Sequence, residues 1–429
     1  MKEKEKSKMK RTNLHWKKAT AIGASLLVWS MTHGSTAADP NTDLTEDWPQ
    51  WRGPNRDGVS QTARLDKKWP DNGPKEVWRQ PLGEGFSGIS IADSRVYTMY
   101  STGASEFVVS LNALDGSEVW KSRTGAKYSE GNGNGPRCTP TVDGDRVYTL
   151  GASGELLALE VGMGKTIWQR NLRREFRSKR PHWGFTSSPL IEGNSVLVEA
   201  GGSNERALMA FDKMTGEELW GSGGDPIGYS SPIAVDALGV RQILFFTGAA
   251  LVSLSPDGQP YWRHTWPNEG GINPATPVFI PPDRVFVSSG YGTGGAVLQM
   301  QSTDAGPGVS EVWFSKEMKN HFSTSIYHEG HIYGFDEAIF KCVDVDTGDE
   351  RWKVRGYGKG TLIFADGHLI VLSDEGKLAM VEANPDAHVE VTSAQVMNDR
   401  CWTSPSLAAG RLYLRNMVEI VCLDLAGRT

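Results

Sequence analysis

Cations and aromatic rings recur at one register of this chain. Three residues ahead of Pro140, Pro189, Pro232, Pro277 and Pro405, and at matching places elsewhere, stand Phe86, Arg137, Thr186, Tyr229, Pro274, Phe322, Lys359 and Trp402. His182, Trp183, Asn273, Asn320, His321 and Arg400 lie close to them in sequence. Gathered around one concavity, such groups would meet carboxylates through charge-assisted hydrogen bonds and stack on a flat ligand. The expected occupant is an acidic or planar small molecule, or the surface of a partner protein. In the alternative reading the rings only fill a narrow channel, with the cations solvated at its mouth.

Other groupings carry less chemistry. In "NEGGIN", Glu269 and Asn273 are oxygen donors four residues apart, two of the six to eight that calcium takes. The acids Glu130, Asp225, Glu269 and Asp399 fall near the same connections. His328 and His331 flank a Glu-Gly turn in "YHEGHIY", a setting expected to be exposed, and no metal is assigned to them. "DVDTGDE" starts like a calcium loop, but its twelfth position is Arg355 instead of glutamate. Cys138, Cys342, Cys401 and Cys422 have no CxxC spacing, which disfavours zinc and leaves their pairing open. "RREFRSKRPHW" places Arg173, Arg174, Arg177, Lys179 and Arg180 in one connection, able to attract an acidic polymer or partner. No G-x-S-x-G elbow, H-E-x-x-H pair or P-loop supports a hydrolase or nucleotide reading.

The elements that would position these residues repeat. "NALDGSEVW", "EVGMGKTIW", "DKMTGEELW", "SPDGQPYW" and "DVDTGDERW" each put a turn glycine four residues before a tryptophan. Around each, a Ser/Thr-Pro start, an alternating strand such as "DRVYTLGAS" and Asp-Gly or Thr-Gly turns spell a four-stranded antiparallel meander. Trp78, Trp120, Trp168, Trp220, Trp262, Trp313 and Trp352 follow one another at 39 to 52 residues, the period of a WD40-like propeller blade. First strands are predicted near Ser87, Cys138, Ser187, Ser230, Ala275, Ser323, Gly360 and Thr403, which makes eight blades. The fold class is therefore all-β, an eight-bladed propeller. The isolated strand around Trp78 is expected to complete the last blade beside "EIVCLDL", so that the ring closes without a bare edge. The glycine supplies the turn conformation, and each tryptophan is expected to be structural, buried between blades.

Forty-nine glycines, 15 tryptophans and 38% hydrophobic residues suit a turn-rich β protein. The first 18 residues hold eight Lys/Arg against two Glu, before the apolar run Ala19 to Met31 and the small residues "GSTAADP". That order predicts a secretory signal peptide over 1–38, cut near Ala37 or Ala38, since the run is shorter than the ~20 residues a span requires. A Trp-rich segment, 39–74, would then lie on the propeller, 75–429. Without the leader the formal net charge moves from −6 to about −12, which disfavours nucleic acid. A periplasmic or secreted monomer with no transmembrane segment after cleavage is expected.

The pattern Ala/Leu-x-Asp-x-x-Thr-Gly-x-x-x-Trp resembles the tryptophan-docking motif of pyrroloquinoline quinone (PQQ)-type β-propellers, from Trp78 to the C-terminus. "DWPQWRGPNRDGVS", Asp47 to Ser60, is similar to the opening segment of quinoprotein dehydrogenases and of exported planctomycete-type repeat proteins. The resemblance implies two kinds of function. One is a cofactor-free envelope scaffold of the kind represented by the outer-membrane assembly lipoprotein BamB. The other is a PQQ- and calcium-dependent dehydrogenase of alcohols, polyvinyl alcohol or sugars, with Arg137 and Lys359 on quinone carboxylates and Trp402 stacking. Such dehydrogenases use adjacent cysteines, absent here, and a calcium set that these acids do not match. The scaffold is the expected function.

Overall fold

The computed structural model describes residues 47–266 and 268–427. The leader expected over 1–38 lies outside them. Eight sheets follow one another along the chain. Blade 1 runs through Ser90–Ala92, Arg95–Thr102, Ser105–Asn112 and Glu118–Ala126, and blades 2 to 7 repeat that antiparallel order as far as Glu390–Gln395. Blade 8 takes three strands from the C-terminal end, Ser406–Ala408, Arg411–Arg415 and Glu419–Asp424, and its fourth from Lys75–Pro81, with Trp78 opposite Cys422. The ring is closed, and its closure joins strands more than 300 positions apart.

First strands begin about three residues later than the sequence predicts, because the Ser/Thr-Pro residues are used between blades. Their hydroxyls and amides pass hydrogen bonds from each blade to the next around the axis: Thr139 N to Ser188 Oγ at 2.9 Å, Ser188 N to Ser231 Oγ at 2.9 Å, and Thr276 N to Thr324 Oγ1 at 2.9 Å. Ser406 Oγ donates to the Ile89 carbonyl across the closing junction. Buried polar groups need such partners, so this inner belt satisfies backbone that a continuous sheet would otherwise pair.

The outer part of the ring is held by the tryptophans. Each docked ring lies on the turn glycine of the following blade: Trp78 on Gly116, Trp120 on Gly164, Trp168 on Gly216, Trp220 on Gly258 and Trp313 on Gly348. A Cβ on Gly216 would lie 2.6 Å from the Trp168 ring, and its φ of +73° also favours glycine. Indole Nε1 atoms donate to carbonyls of the same turns, from Trp120 to Val161 at 2.7 Å and from Trp168 to Lys213 at 3.0 Å. Burial of one such ring stabilises by about 2 to 3 kcal/mol. Three junctions depart from the rule. Trp352 Nε1 donates to the Asn384 carbonyl at 2.8 Å, in a blade 7 turn that has no glycine. Trp262 Nε1 turns back to Gln242 Oε1 of its own blade, because blade 5 has a long hairpin, Gly294–Thr303 and Gly306–Ser315, in place of the turn. The fourth strand of blade 7 carries no tryptophan, and blade 8 has no turn to receive one, since its outer strands are joined by closure.

Residues 47–60 form a strap across the axis, held by hydrogen bonds to several blades. Trp48 exchanges backbone hydrogen bonds with Ile91 of blade 1 at 2.8 and 2.9 Å, and the Pro49 carbonyl accepts from Val142 of blade 2. Val59–Ser60 adds a parallel strand to blade 7, opposite Phe364 and Ala365. Arg56 donates to the Ser188 and Pro189 carbonyls, and Arg52 to those of Thr324, Ser325 and Leu362. Both guanidinium groups are buried, and burial pushes Arg52 down to about 10 and Arg56 to about 9. Beyond the strap, Leu65 pairs with Ala426. The four cysteines are each buried and free, so none is bridged among the described residues. No helix of the described residues is long and apolar enough to cross a membrane.

Candidate functional site

The connections from one blade's fourth strand to the next blade's first strand converge on a cavity of about 450 Å³. All eight register positions, Phe86, Arg137, Thr186, Tyr229, Pro274, Phe322, Lys359 and Trp402, line it. Trp183 and His321 line it too, and so does Trp51 of the axial strap, whose Nε1 donates to Thr276 Oγ1 at 2.9 Å. A second cavity, about 730 Å³, lies at the opposite ends of the first strands, between strap residues such as Asn55 and Asp57 and the blades. The strap thus separates two concavities.

Aromatic rings make the walls of the mouth. Trp402 stacks on Phe86 with centroids 5.7 Å apart and meets Phe322 at 5.0 Å, while Trp183 stands edge-on to Tyr229 at 5.3 Å. His321 contacts Phe322 and Tyr291. Its Nδ1 is buried without a protein partner among the described residues, and burial together with Lys359 holds the imidazole below its usual range.

The cations are compensated. Arg137 pairs with Glu130 at 2.8 Å, both side chains only 9% exposed, donates to the Gly133 carbonyl at 2.9 Å and covers the Tyr128 ring at 4.9 Å. Burial lowers its pKa from the free value. Lys359 stands 3.5 Å from Glu337. Behind the wall, Glu199 accepts from the Gly228 and Tyr229 amides at 2.8 and 3.2 Å and is pushed up to about 8 by burial. It holds Tyr229 at a φ of +80°, a conformation that side chains other than glycine adopt at a cost. Glu106, pushed up to about 7 by burial, accepts from Tyr128 and Ala152 amides in the same manner.

Four expected site residues stay out of the cavity. Asn273 is fully buried, its amide nitrogen donating to the Thr247 carbonyl at 2.7 Å and its oxygen accepting from Ser289. Asn320 is likewise spent, between the Phe335 carbonyl and Ser325 Oγ. His182 is exposed, with its carbonyl accepting from Tyr128 Oη and its ring edge-on to Trp183. Arg400 caps Trp402 from outside at 4.5 Å and donates to the Asn132 carbonyl. Sequence reasoning did not place Trp51 or Tyr291 here. Trp51 lies outside the repeat, and Tyr291 sits in a hairpin turn of blade 5, so neither has a periodic signal.

The smaller groupings also have positions. His328 packs on Phe364 at 4.3 Å and His331 Nδ1 contacts the Glu329 carbonyl at 2.9 Å, the two residues standing opposite each other across the hairpin. Asp344 of "DVDTGDE" accepts from the Asp346 and Thr347 amides, so its carboxylate closes the blade turn. The quinone implied by the resemblance would bring several carboxylates and a calcium ion. Arg137 and Lys359 are already neutralised by Glu130 and Glu337, Asn273 has no free oxygen to give, and no two cysteines are adjacent in the chain. These residues do not fit that group.

A family model described as outer membrane protein assembly factor BamB matches residues 70–182 and 104–354. BamB of Burkholderia pseudomallei is 25% identical over 197 residues, 44% of this chain and 45% of that protein. Quinohemoprotein alcohol dehydrogenase ADH-IIG of Pseudomonas putida is 26% identical over 131 residues, 28% of this chain and 17% of that protein. The chain thus spans under half the length of these curated relatives. Among solved structures, BamB from Moraxella catarrhalis superposes with a TM-score of 0.59 at 15% identity, covering 83% of this chain and 98% of that one. The quinohemoprotein alcohol dehydrogenase from Comamonas testosteroni gives 0.60 at 12%, over 91% and 82%.

Proposed function

This chain belongs to the family of outer membrane protein assembly factor BamB, PQQ-like β-propellers, and on that premise we propose that it is an exported binding scaffold of the cell envelope. Its ligand or partner sits in the aromatic mouth. The carrying observation is the charge state of that mouth: both cations that could grip an anionic cofactor are paired with carboxylates, while Phe86, Trp183, Phe322 and Trp402 leave an apolar recess. Such a recess recognises a flat, uncharged group by burial and stacking. The signal-type leader and the outer-membrane relative support export.

The dehydrogenase reading, supported by the second relative, makes a separable demand. Indole serves as the probe for a flat apolar group, and PQQ with calcium as the probe for the cofactor. Indole is expected to raise the melting temperature of the wild type and not of Trp183→Ala, whereas PQQ with calcium leaves both unchanged. No shift with indole, or a PQQ-dependent shift accompanied by dye reduction on alcohols, overturns the scaffold reading.

A further inference from the structure

The connection from blade 2 to blade 3 has two faces. Toward the cavity it contributes Trp183 and Thr186. Away from it, Arg173, Arg174, Arg177, Lys179 and Arg180 are all exposed, and none forms an ion pair among the described residues. The acid nearest in effect, Glu155, is half-buried in the wall, its carboxyl held up by burial against the opposing influence of Arg173 and Arg174. Elsewhere the surface cations are largely matched, as Arg170 is by Glu175 at 3.2 Å and Arg241 by Glu192 at 2.8 Å. Five cations without an ion-pair partner on one connection of an acidic chain repel one another.

These charges are continuous with the mouth. Tyr128 is sandwiched between two guanidinium groups, Arg137 of the cavity at 4.9 Å and Arg180 of the connection at 5.1 Å, and its hydroxyl is tied to the His182 carbonyl. The compensated cavity and the uncompensated connection therefore divide one ligand into two parts. A flat neutral group enters the recess, and anionic groups lie along 173–180, whose Arg180 reaches the same ring that Arg137 covers.

We infer that the mouth and the basic connection together bind an acidic peptide segment of a partner protein, with one aromatic side chain inserted between Trp183 and Phe322. The inference rests on the reading of the mouth as a binding site. A peptide fits better than a long polyanion for two reasons. An acidic peptide presents a neutral ring beside its carboxylates, which polyphosphate does not, and the chain's net negative charge disfavours a polyanion that extends beyond this connection.

The test uses a labelled glutamate-rich peptide with a single tryptophan, its Trp→Ser copy, inorganic polyphosphate and indole, against the full chain. The tryptophan peptide is expected to bind with a salt-dependent affinity, and the Trp→Ser copy about tenfold more weakly. The triple variant Arg174→Glu, Arg177→Glu, Lys179→Glu should lose about tenfold or more for the peptide while binding indole as the wild type does. Should that variant unfold, the neutral set Arg174→Gln, Arg177→Gln, Lys179→Gln gives the same comparison. Indole binding without peptide binding overturns the inference and spares the mouth. Equal binding of the Trp→Ser copy, or polyphosphate bound as tightly and indifferent to Trp183→Ala, identifies a general polyanion surface and overturns it as well. Failure of indole and peptide together removes the mouth reading itself.

Discussion

The rim and the axis of this ring are stabilised in opposite ways. At the rim one device is repeated: an indole of one blade lies on the turn glycine of the next and donates to its carbonyl. Inside the Ser/Thr belt, a single strap crosses the axis and touches several blades, each differently, pairing backbone with Ile91, sending Arg56 to Ser188 and Arg52 to Thr324 and Leu362. A repeated contact can be lost at one junction and leave the others. A strap that satisfies several blades at once is a shared dependency, and it also sets the depth of the mouth, because Trp51 lines the cavity from it. Architecture and the walls of the mouth are thus carried by positions that recur, and the floor of the mouth by a strap that does not.

The largest effect that would test this contrast is at the closing blade. Trp78→Ala removes a buried ring from the strand that completes blade 8, and should cost about 3 to 5 kcal/mol in urea unfolding. A loss under ~1 kcal/mol would mean that closure does not depend on docking. Next comes the strap. Arg52→Met orphans carbonyls of blades 6 and 7, and each unsatisfied acceptor costs about 1 to 3 kcal/mol, offset in part because burying the guanidinium was itself unfavourable. The expected net loss is about 2 to 3 kcal/mol, together with weaker indole binding as Trp51 loosens. Unchanged stability would separate strap from ring.

Which parts were legible in the sequence follows from the same contrast. Blade number, hairpin turns and closure could be read because glycine and tryptophan recur wherever a left-handed turn meets an indole. Even the exceptions make sense in retrospect: "EVTSAQ", Glu390 to Gln395, lacks a tryptophan where no turn stands opposite to receive it. The eight register positions could be gathered by alignment on the first-strand prolines, and they line one cavity. Asn273 and Asn320 could not be separated from them, since the same periodicity delivers a side chain to the recess or to the wall behind it, and only hydrogen-bond partners decide. The path of residues 47–60 was equally invisible, because a strand that crosses the axis has no period of its own. Its two arginines, Arg52 and Arg56, are received in the interior by backbone carbonyls of neighbouring blades.

Smaller effects sharpen the comparison at the mouth itself. Glu199 has a folded pKa of about 8 against 4.5 in the unfolded chain, so the native state holds a proton that the unfolded state has released over that interval. Its contribution to stability is therefore full at acid pH and falls as the pH rises from about 5 to about 8. Glu199→Gln keeps an acceptor for the Gly228 amide but turns a donor toward that of Tyr229, so it should lower stability at every pH while flattening that part of the profile. An unaltered pH slope would show that another group, Glu106 foremost, carries it.

The smallest effect is expected at Lys359. Its ammonium group is about a third exposed and 3.5 Å from Glu337, a geometry that water screens, so Lys359→Met should change unfolding by less than about 1 kcal/mol. The same substitution leaves Glu337 unpaired beside the recess and replaces a cation with an apolar chain, so affinity for a neutral ring such as indole should hold or rise. A marked loss of stability would place the mouth among the parts that carry the fold. A marked loss of indole binding would mean that Lys359 grips the ligand directly, and the division between a neutral recess and a charged connection would have to be redrawn.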